Sequence, residues 1–153
     1  MSNAANHNSG HSAEAIRHVY VHIPFCARIC PYCAFYKDLL DRSQTARFCE
    51  AILRDLDTQT ASFALSPETI YFGGGTPTAL ASSQLEFLIE GFHERLDLSS
   101  LAEWTIEANP GSVSARKAAL LHRLEVNRIS LGVQSWNNEL LKVLGREHNS
   151  RQA

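Results

Sequence analysis

Three cysteines fall within eight residues, in the run Cys26-Ala27-Arg28-Ile29-Cys30-Pro31-Tyr32-Cys33. Disulfide frameworks use even, dispersed sets of cysteines, so a compact odd triplet points instead to metal or redox chemistry. Thiolates bind iron–sulfur clusters well. The C-x3-C-x2-C spacing wraps a short loop around one cube. Three thiolates on a four-iron cube leave one iron without a protein ligand, and a cofactor can chelate it. The competing reading is a zinc knuckle, which needs four ligands. Cys49 is the one spare cysteine and lies beside Phe48 in a helical pattern, where a small buried apolar role suits it. His22 is the other available fourth ligand, carried on a strand and expected to face inward.

Other segments could supply polar chemistry. Gly73-Gly74-Gly75-Thr76-Pro77 follows a strand pattern, and a glycine run lets backbone approach a ligand closely and reach positive φ. Most such runs are ordinary turns. Glu107 ends the strand Glu103–Ala108, where Thr105, Glu107 and Asn109 share one face and Trp104, Ile106 and Ala108 the other. In Asn127–Gln134, Ser130, Gly132 and Gln134 likewise oppose Ile129, Leu131 and Val133. A lone glutamate at a strand end is usually solvated. His7 and His11 could ligate a metal, but solvated histidines in a polar leader are the plainer reading.

The elements that would position these groups alternate along the chain. His18–Ile23 and Glu68–Phe72 read as strands. Asp41 to about Phe63 reads as an amphipathic helix, with Phe48, Ile52, Leu53 and Leu56 at helical spacing. Ser82 or Ser83 can cap a second helix whose apolar face is Leu85, Leu88, Ile89 and Phe92. Ser112–Leu124 reads as a third helix and Asn138–Leu144 begins a fourth. Four βα units in a row imply an α/β fold with parallel strands inside and helices outside. Functional groups in such folds sit at the carboxyl ends of the strands. The cysteine loop, the glycine run, Glu107 and Gln134 all fall there, so they are expected to converge on one edge.

Composition excludes several alternatives. With 44% hydrophobic and 20% charged residues in 153, one packed domain is expected. A net charge of −2 gives no reason to expect nucleic acid as a partner. No apolar run approaches the roughly 20 residues that span a bilayer. Residues 1–16 are polar, lack the apolar centre of a signal peptide, and read as a mobile tail. The expected location is the cytoplasm.

The runs Tyr20-Val21-His22-Ile23-Pro24-Phe25-Cys26, Phe72-Gly73-Gly74-Gly75-Thr76-Pro77-Thr78, Ile106-Glu107-Ala108-Asn109-Pro110 and Asn127-Arg128-Ile129-Ser130-Leu131-Gly132-Val133-Gln134-Ser135 resemble the radical-SAM superfamily. More narrowly, they are similar to the branch of oxygen-independent coproporphyrinogen III dehydrogenases and HemW-type haem chaperones. The resemblance covers about residues 17–150 and implies a partial (β/α) barrel. It implies a 4Fe-4S cluster on Cys26, Cys30 and Cys33, with S-adenosylmethionine chelating the open iron. Reductive cleavage of that cofactor would yield a radical that removes hydrogen from a substrate. By the same matching, Tyr20, Tyr32, Gly74, Gly75, Thr76, Glu107, Gln134 and Arg146 lie at the cofactor, with Arg146 suited to its carboxylate.

Within the branch, the dehydrogenases carry a further cysteine two residues after the last cluster ligand. Here the run is Cys33-Ala34-Phe35, which is the chaperone pattern. The resemblance thus favours a haem chaperone over a porphyrinogen enzyme. It implies haem or porphyrin as a partner of the whole protein, and a reductant such as flavodoxin or ferredoxin. Membrane contact is expected only if haem is delivered there. A small iron–sulfur electron carrier would need no glycine run, Glu107 or Gln134. Family members continue with further βα units and a C-terminal domain, so residues 17–153 are expected to be the N-terminal part of such a core.

Overall fold

A computed structural model describes residues 15–153. His7, His11 and most of the expected tail lie outside the described residues. The expected tail boundary is corrected, because Ile16 already belongs to the first strand.

Strand β1 runs Ile16–Ile23, followed by the two-residue strands β2, Phe25–Cys26, and β3, Asp38–Leu39. Helix α1 is Arg42–Ser62, β4 is Leu65–Gly74, and α2 is Ser82–Arg95. Then come β5 at Glu103–Ala108, α3 at Ala115–Arg123, β6 at Arg128–Leu131 and α4 at Asn138–Val143. The main sheet has the order β1-β4-β5-β6 and every pairing is parallel. Each successive βα unit adds its strand next to the last, with no reversal of order. This is the progression of a (β/α) barrel rather than of a doubly wound sheet. The fold is therefore the expected partial barrel of four βα units.

Alternation along the strands divides the sheet into two faces. Val21, Ile23, Ile70, Phe72, Trp104 and Ile106 point outward and are buried beneath the helices. Their helix partners include Leu53, Leu56, Leu85, Leu88, Ile89 and Phe92. Phe72 packs edge-on to Phe92 and Trp104, with ring centroids 5.3 and 5.5 Å away. Burying each large side chain contributes about 1.5–3 kcal/mol, so this face holds the sheet and helices together.

Several expected boundaries shift for local reasons. Asp41, expected as the first residue of α1, is instead its N-cap and accepts from the Ser43 amide at 2.9 Å. The cap of α2 is Ala81, not Ser82 or Ser83. Helix α3 begins three residues later than expected, because Ser112 is used in a turn on Asn109 and Ser114 caps the helix. Strand β6 ends at Leu131 rather than Gln134. A tight Val133 N–H to Leu131 C=O bond of 2.9 Å turns the chain there, and Gln134 takes a left-handed φ of 70°. The short β2–β3 ladder was not expected from the sequence. It closes the base of the cysteine loop by pairing Phe25 with Asp38 and Cys26 with Leu39.

Candidate functional site

The cysteine loop starts where β1 ends. Bonds of Gly75 N–H to Ile23 C=O and of Thr76 N–H to Phe25 C=O, both 2.8 Å, tie the glycine run to the strand that enters the loop. This approach explains the glycines. Gly74 has φ of 110°, and a Cβ there would fall 2.6 Å from the His22 ring. A Cβ on Gly75 would fall 2.5 Å from the Pro24 carbonyl oxygen. The run is thus required by packing against β1 and the loop, whatever ligand it also faces.

Cys26, Cys30 and Cys33 are half-buried free thiols that line one cavity of about 340 Å³. The same wall carries Tyr32, Gly74, Gly75, Thr76, Glu107, Gln134 and Arg146. All four strand-end segments therefore converge as expected. Tyr20 is the exception among the sequence candidates. It sits on the inner face of β1 outside the cavity wall, stacked on Tyr71 at 6.0 Å, with its hydroxyl 3.0 Å from His22 Nδ1. The His22 Nε2–H donates to the Tyr36 carbonyl at 3.0 Å, which commits that ring to bracing the loop rather than to ligating a metal. Cys49 is buried in the core, and burial pushes its thiol up to about 11.

Polar contacts join the segments. Glu107 accepts from the Tyr71 hydroxyl at 2.7 Å and from the Gly74 amide at 3.1 Å. Its carboxylate oxygens retain further lone pairs for a ligand. Thr76 donates to Cys26 Sγ at 3.8 Å and accepts from Asn109 Nδ2 at 2.8 Å. Partial burial pushes the Cys26 thiol up, opposed by the Thr76 hydroxyl. Burial likewise raises the Tyr32 phenol, against the pull of the Arg146 guanidinium. Arg146 donates to Cys30 Sγ at 3.4 Å, Asn109 Oδ1 at 2.5 Å and the Gly132 carbonyl at 2.8 Å. Its Nε–H is buried with no partner among the described residues. Asn109, Tyr71 and Lys37 are site residues that sequence reasoning did not assign. The signal for the first two was their place in the alternation of the inner face, Asn109 just past the end of β5 and Tyr71 on β4.

Three thiols on one cavity wall are donors of the type that suits a 4Fe-4S cluster. Among the described residues, no three His, Cys, Asp or Glu side chains converge as the ligands of one metal ion do. A cluster does not require that convergence, since each thiolate binds a different iron. The guanidinium of Arg146, which meets Cys30 Sγ through Nη1, keeps its buried Nε–H without a partner among the described residues, a donor that an anionic group could satisfy.

Known proteins resemble this chain in sequence and in fold. The sequence model of the Radical SAM superfamily matches residues 20–153. The chain belongs to the radical SAM superfamily. It is 47% identical over 134 residues to heme chaperone HemW of Lactococcus lactis, a match covering 87% of this chain and 34% of that protein. It is 43% identical over 138 residues to heme chaperone HemW of Escherichia coli, covering 88% of this chain and 36% of that one. The solved structure of coproporphyrinogen III oxidase (HemN) from Escherichia coli, a radical SAM enzyme, aligns with a TM-score of 0.82 at 29% identity. That alignment covers 91% of this chain and 32% of the enzyme. The chain thus spans about a third of the length of the relatives it matches. No helix among the described residues is long and apolar enough to cross a membrane.

Proposed function

We propose that this chain is the cofactor-binding part of a HemW-type haem chaperone. In this reading Cys26, Cys30 and Cys33 hold a 4Fe-4S cluster and S-adenosylmethionine binds its open iron. The observation that carries the reading is the shared cavity, where three thiols meet Glu107, Gln134 and Arg146 with no fourth thiol in reach. When bound, the reduced cluster supplies an electron to the cofactor's sulfonium. The chain's own residues do the rest. Arg146 holds the cofactor's carboxylate, reached by its free N–H donors. Glu107 accepts from the cofactor's amine while its other bonds keep the Gly74 backbone in place. Gln134, held at the cavity by its left-handed turn, reaches the adenosyl part. Tyr32 and Phe35 limit water at the mouth. Tyr20 acts one layer away, through Tyr71 and Glu107.

The chaperone reading over the enzyme reading is carried by Phe35. It stands where the dehydrogenases of the branch have a thiol, and it is 74% exposed on the cavity's rim. A phenyl ring can neither donate a proton or hydrogen atom nor ligate a metal. The likeness to HemN keeps the alternative, oxidative decarboxylation of coproporphyrinogen III, as a second reading. The whole protein would then draw electrons from a soluble donor such as flavodoxin or ferredoxin and act on haem or porphyrin in the cytoplasm.

Anaerobic reconstitution of this chain, with iron and sulfide counted and the reduced cluster read by electron paramagnetic resonance, should give about one cluster per chain. The absence of a four-iron signal overturns the cofactor reading. For the complete protein, haem titration is set against turnover of coproporphyrinogen III. Haem binding without protoporphyrinogen formation supports the chaperone, and sustained turnover supports the enzyme.

A further inference from the structure

Lys37 is the one cation within the cysteine loop whose ammonium is anchored by the loop itself. Its Nζ donates to the Cys33 carbonyl at 2.5 Å and to the Phe35 carbonyl at 3.2 Å. Both acceptors are neutral, and among the described residues Lys37 has no carboxylate within ion-pair distance. A lysine ordinarily leaves its ammonium free in water, and fixing it costs side-chain entropy. Here it lines the same cavity as Cys26, Cys30 and Cys33. Of the other cations on that wall, Arg28 pairs with Glu147 at 3.5 Å, and Arg146 donates to Cys30 Sγ at 3.4 Å as well as to Asn109 and the Gly132 carbonyl, so Lys37 is a second fixed positive charge at the thiols.

We propose that Lys37 is an electrostatic tuning residue, whose fixed ammonium raises the reduction potential of the cluster held by Cys26, Cys30 and Cys33. This rests on the reading of those thiols as cluster ligands. Reduction adds one electron to a group that already carries three thiolates. A fixed positive charge nearby stabilises the more negative state, and the effect is larger in a half-buried site than in water. The rival role is a clasp, in which only the two hydrogen bonds to carbonyls matter. The two roles separate by charge, since Gln donates to carbonyls without a charge and Arg carries both.

The test is a redox titration of the reconstituted 153-residue chain, followed by the paramagnetic signal of the reduced cluster. Iron content is measured on each sample. At the wild-type midpoint, Lys37→Gln should lower the ratio of reduced to oxidised cluster by about threefold to tenfold, tenfold being about 59 mV for a one-electron couple. Lys37→Arg should stay within about twofold of wild type. An unchanged midpoint in Lys37→Gln with full iron content overturns the proposal. Should Lys37→Gln lose iron, Ala34→Glu against Ala34→Gln decides, since Ala34 lines the same wall and the lysine stays in place. A lower ratio in the glutamate variant supports the proposal, and equal midpoints overturn it. A wild-type chain that assembles no cluster overturns the cofactor reading itself, and this inference with it.

Discussion

On the outer face of the sheet, Val21, Ile23, Ile70, Phe72, Trp104 and Ile106 are buried against helices. On the inner face, the register sets Tyr20 beside Tyr71, Tyr71 beside Thr105, and Thr105 beside Arg128, with Glu107 beside Ser130. The same strands make both, because successive side chains point to opposite sides. The outer face closes on its own apolar surface. The inner face leads toward the cavity with hydroxyls, a carboxylate and a guanidinium that bond one another. The difference teaches how the molecule separates stability from chemistry. Outer-face changes should move unfolding, and cavity changes should move cofactor binding.

The largest effect should come from the loop. Cys26→Ala, Cys30→Ala or Cys33→Ala should each abolish a full four-iron spectrum, because in the proposed reading each removes the protein ligand of one iron. Cys49→Ala should leave the cluster intact, since that thiol sits in the core under α1. Iron counts and the spectrum of the reduced cluster check both halves. Retention of the full spectrum in Cys30→Ala would break the comparison at its centre.

Phe72→Ala should come next. The ring is fully buried between Phe92 and Trp104, so its loss leaves a cavity among aromatic neighbours. Truncations of this kind cost about 3–5 kcal/mol, read by denaturant unfolding of the apoprotein. Arg146→Ala should act in the opposite register. It should weaken S-adenosylmethionine binding to the reconstituted chain by about 1.5–3 kcal/mol, the range for a hydrogen bond to a charged group. Anaerobic calorimetry measures this, and unchanged affinity would remove Arg146 from the site.

Much of this division was legible in the sequence. Alternation in Glu103–Ala108 and the apolar spacing of α1 and α2 placed the outer face correctly, because burial is what those patterns record. The strand-end position of the cysteine loop, the glycines and Glu107 placed the site. What was not legible depended on contacts between distant segments. Gly74 is needed because of the His22 ring, 52 residues away in the chain, and no local pattern carries that. Tyr20 lies outside the cavity wall because the register sets it level with Tyr71 and Thr105, short of the strand ends that carry Gly74 and Glu107. The early end of β6 follows from a turn in Leu131–Gln134 that lacks the usual signal, since its left-handed residue is Gln rather than Gly or Asn.

The smallest effect sharpens the comparison from the side of stability. Helix α2 begins at a cap without a capping side chain. Gln84 reaches back to accept from the Ala81 amide at 3.1 Å, but Ala81 has no oxygen with which to return a bond. Its backbone is already extended, with φ of −62° and ψ of 152°, as a capping residue requires. Ala81→Ser should therefore complete the reciprocal pair by accepting from an amide in the first turn of α2. The expected gain is about 0.5–1 kcal/mol, read as a rise in the denaturant midpoint at unchanged slope. Helix α2 packs on the outer face, and Ala81 does not line the cluster cavity. Cofactor affinity and cluster potential should accordingly stay at wild-type values. A variant that gains stability but shifts either one would mean that the two faces are coupled through the Thr76–Leu80 segment, which runs from the cavity wall to the foot of α2.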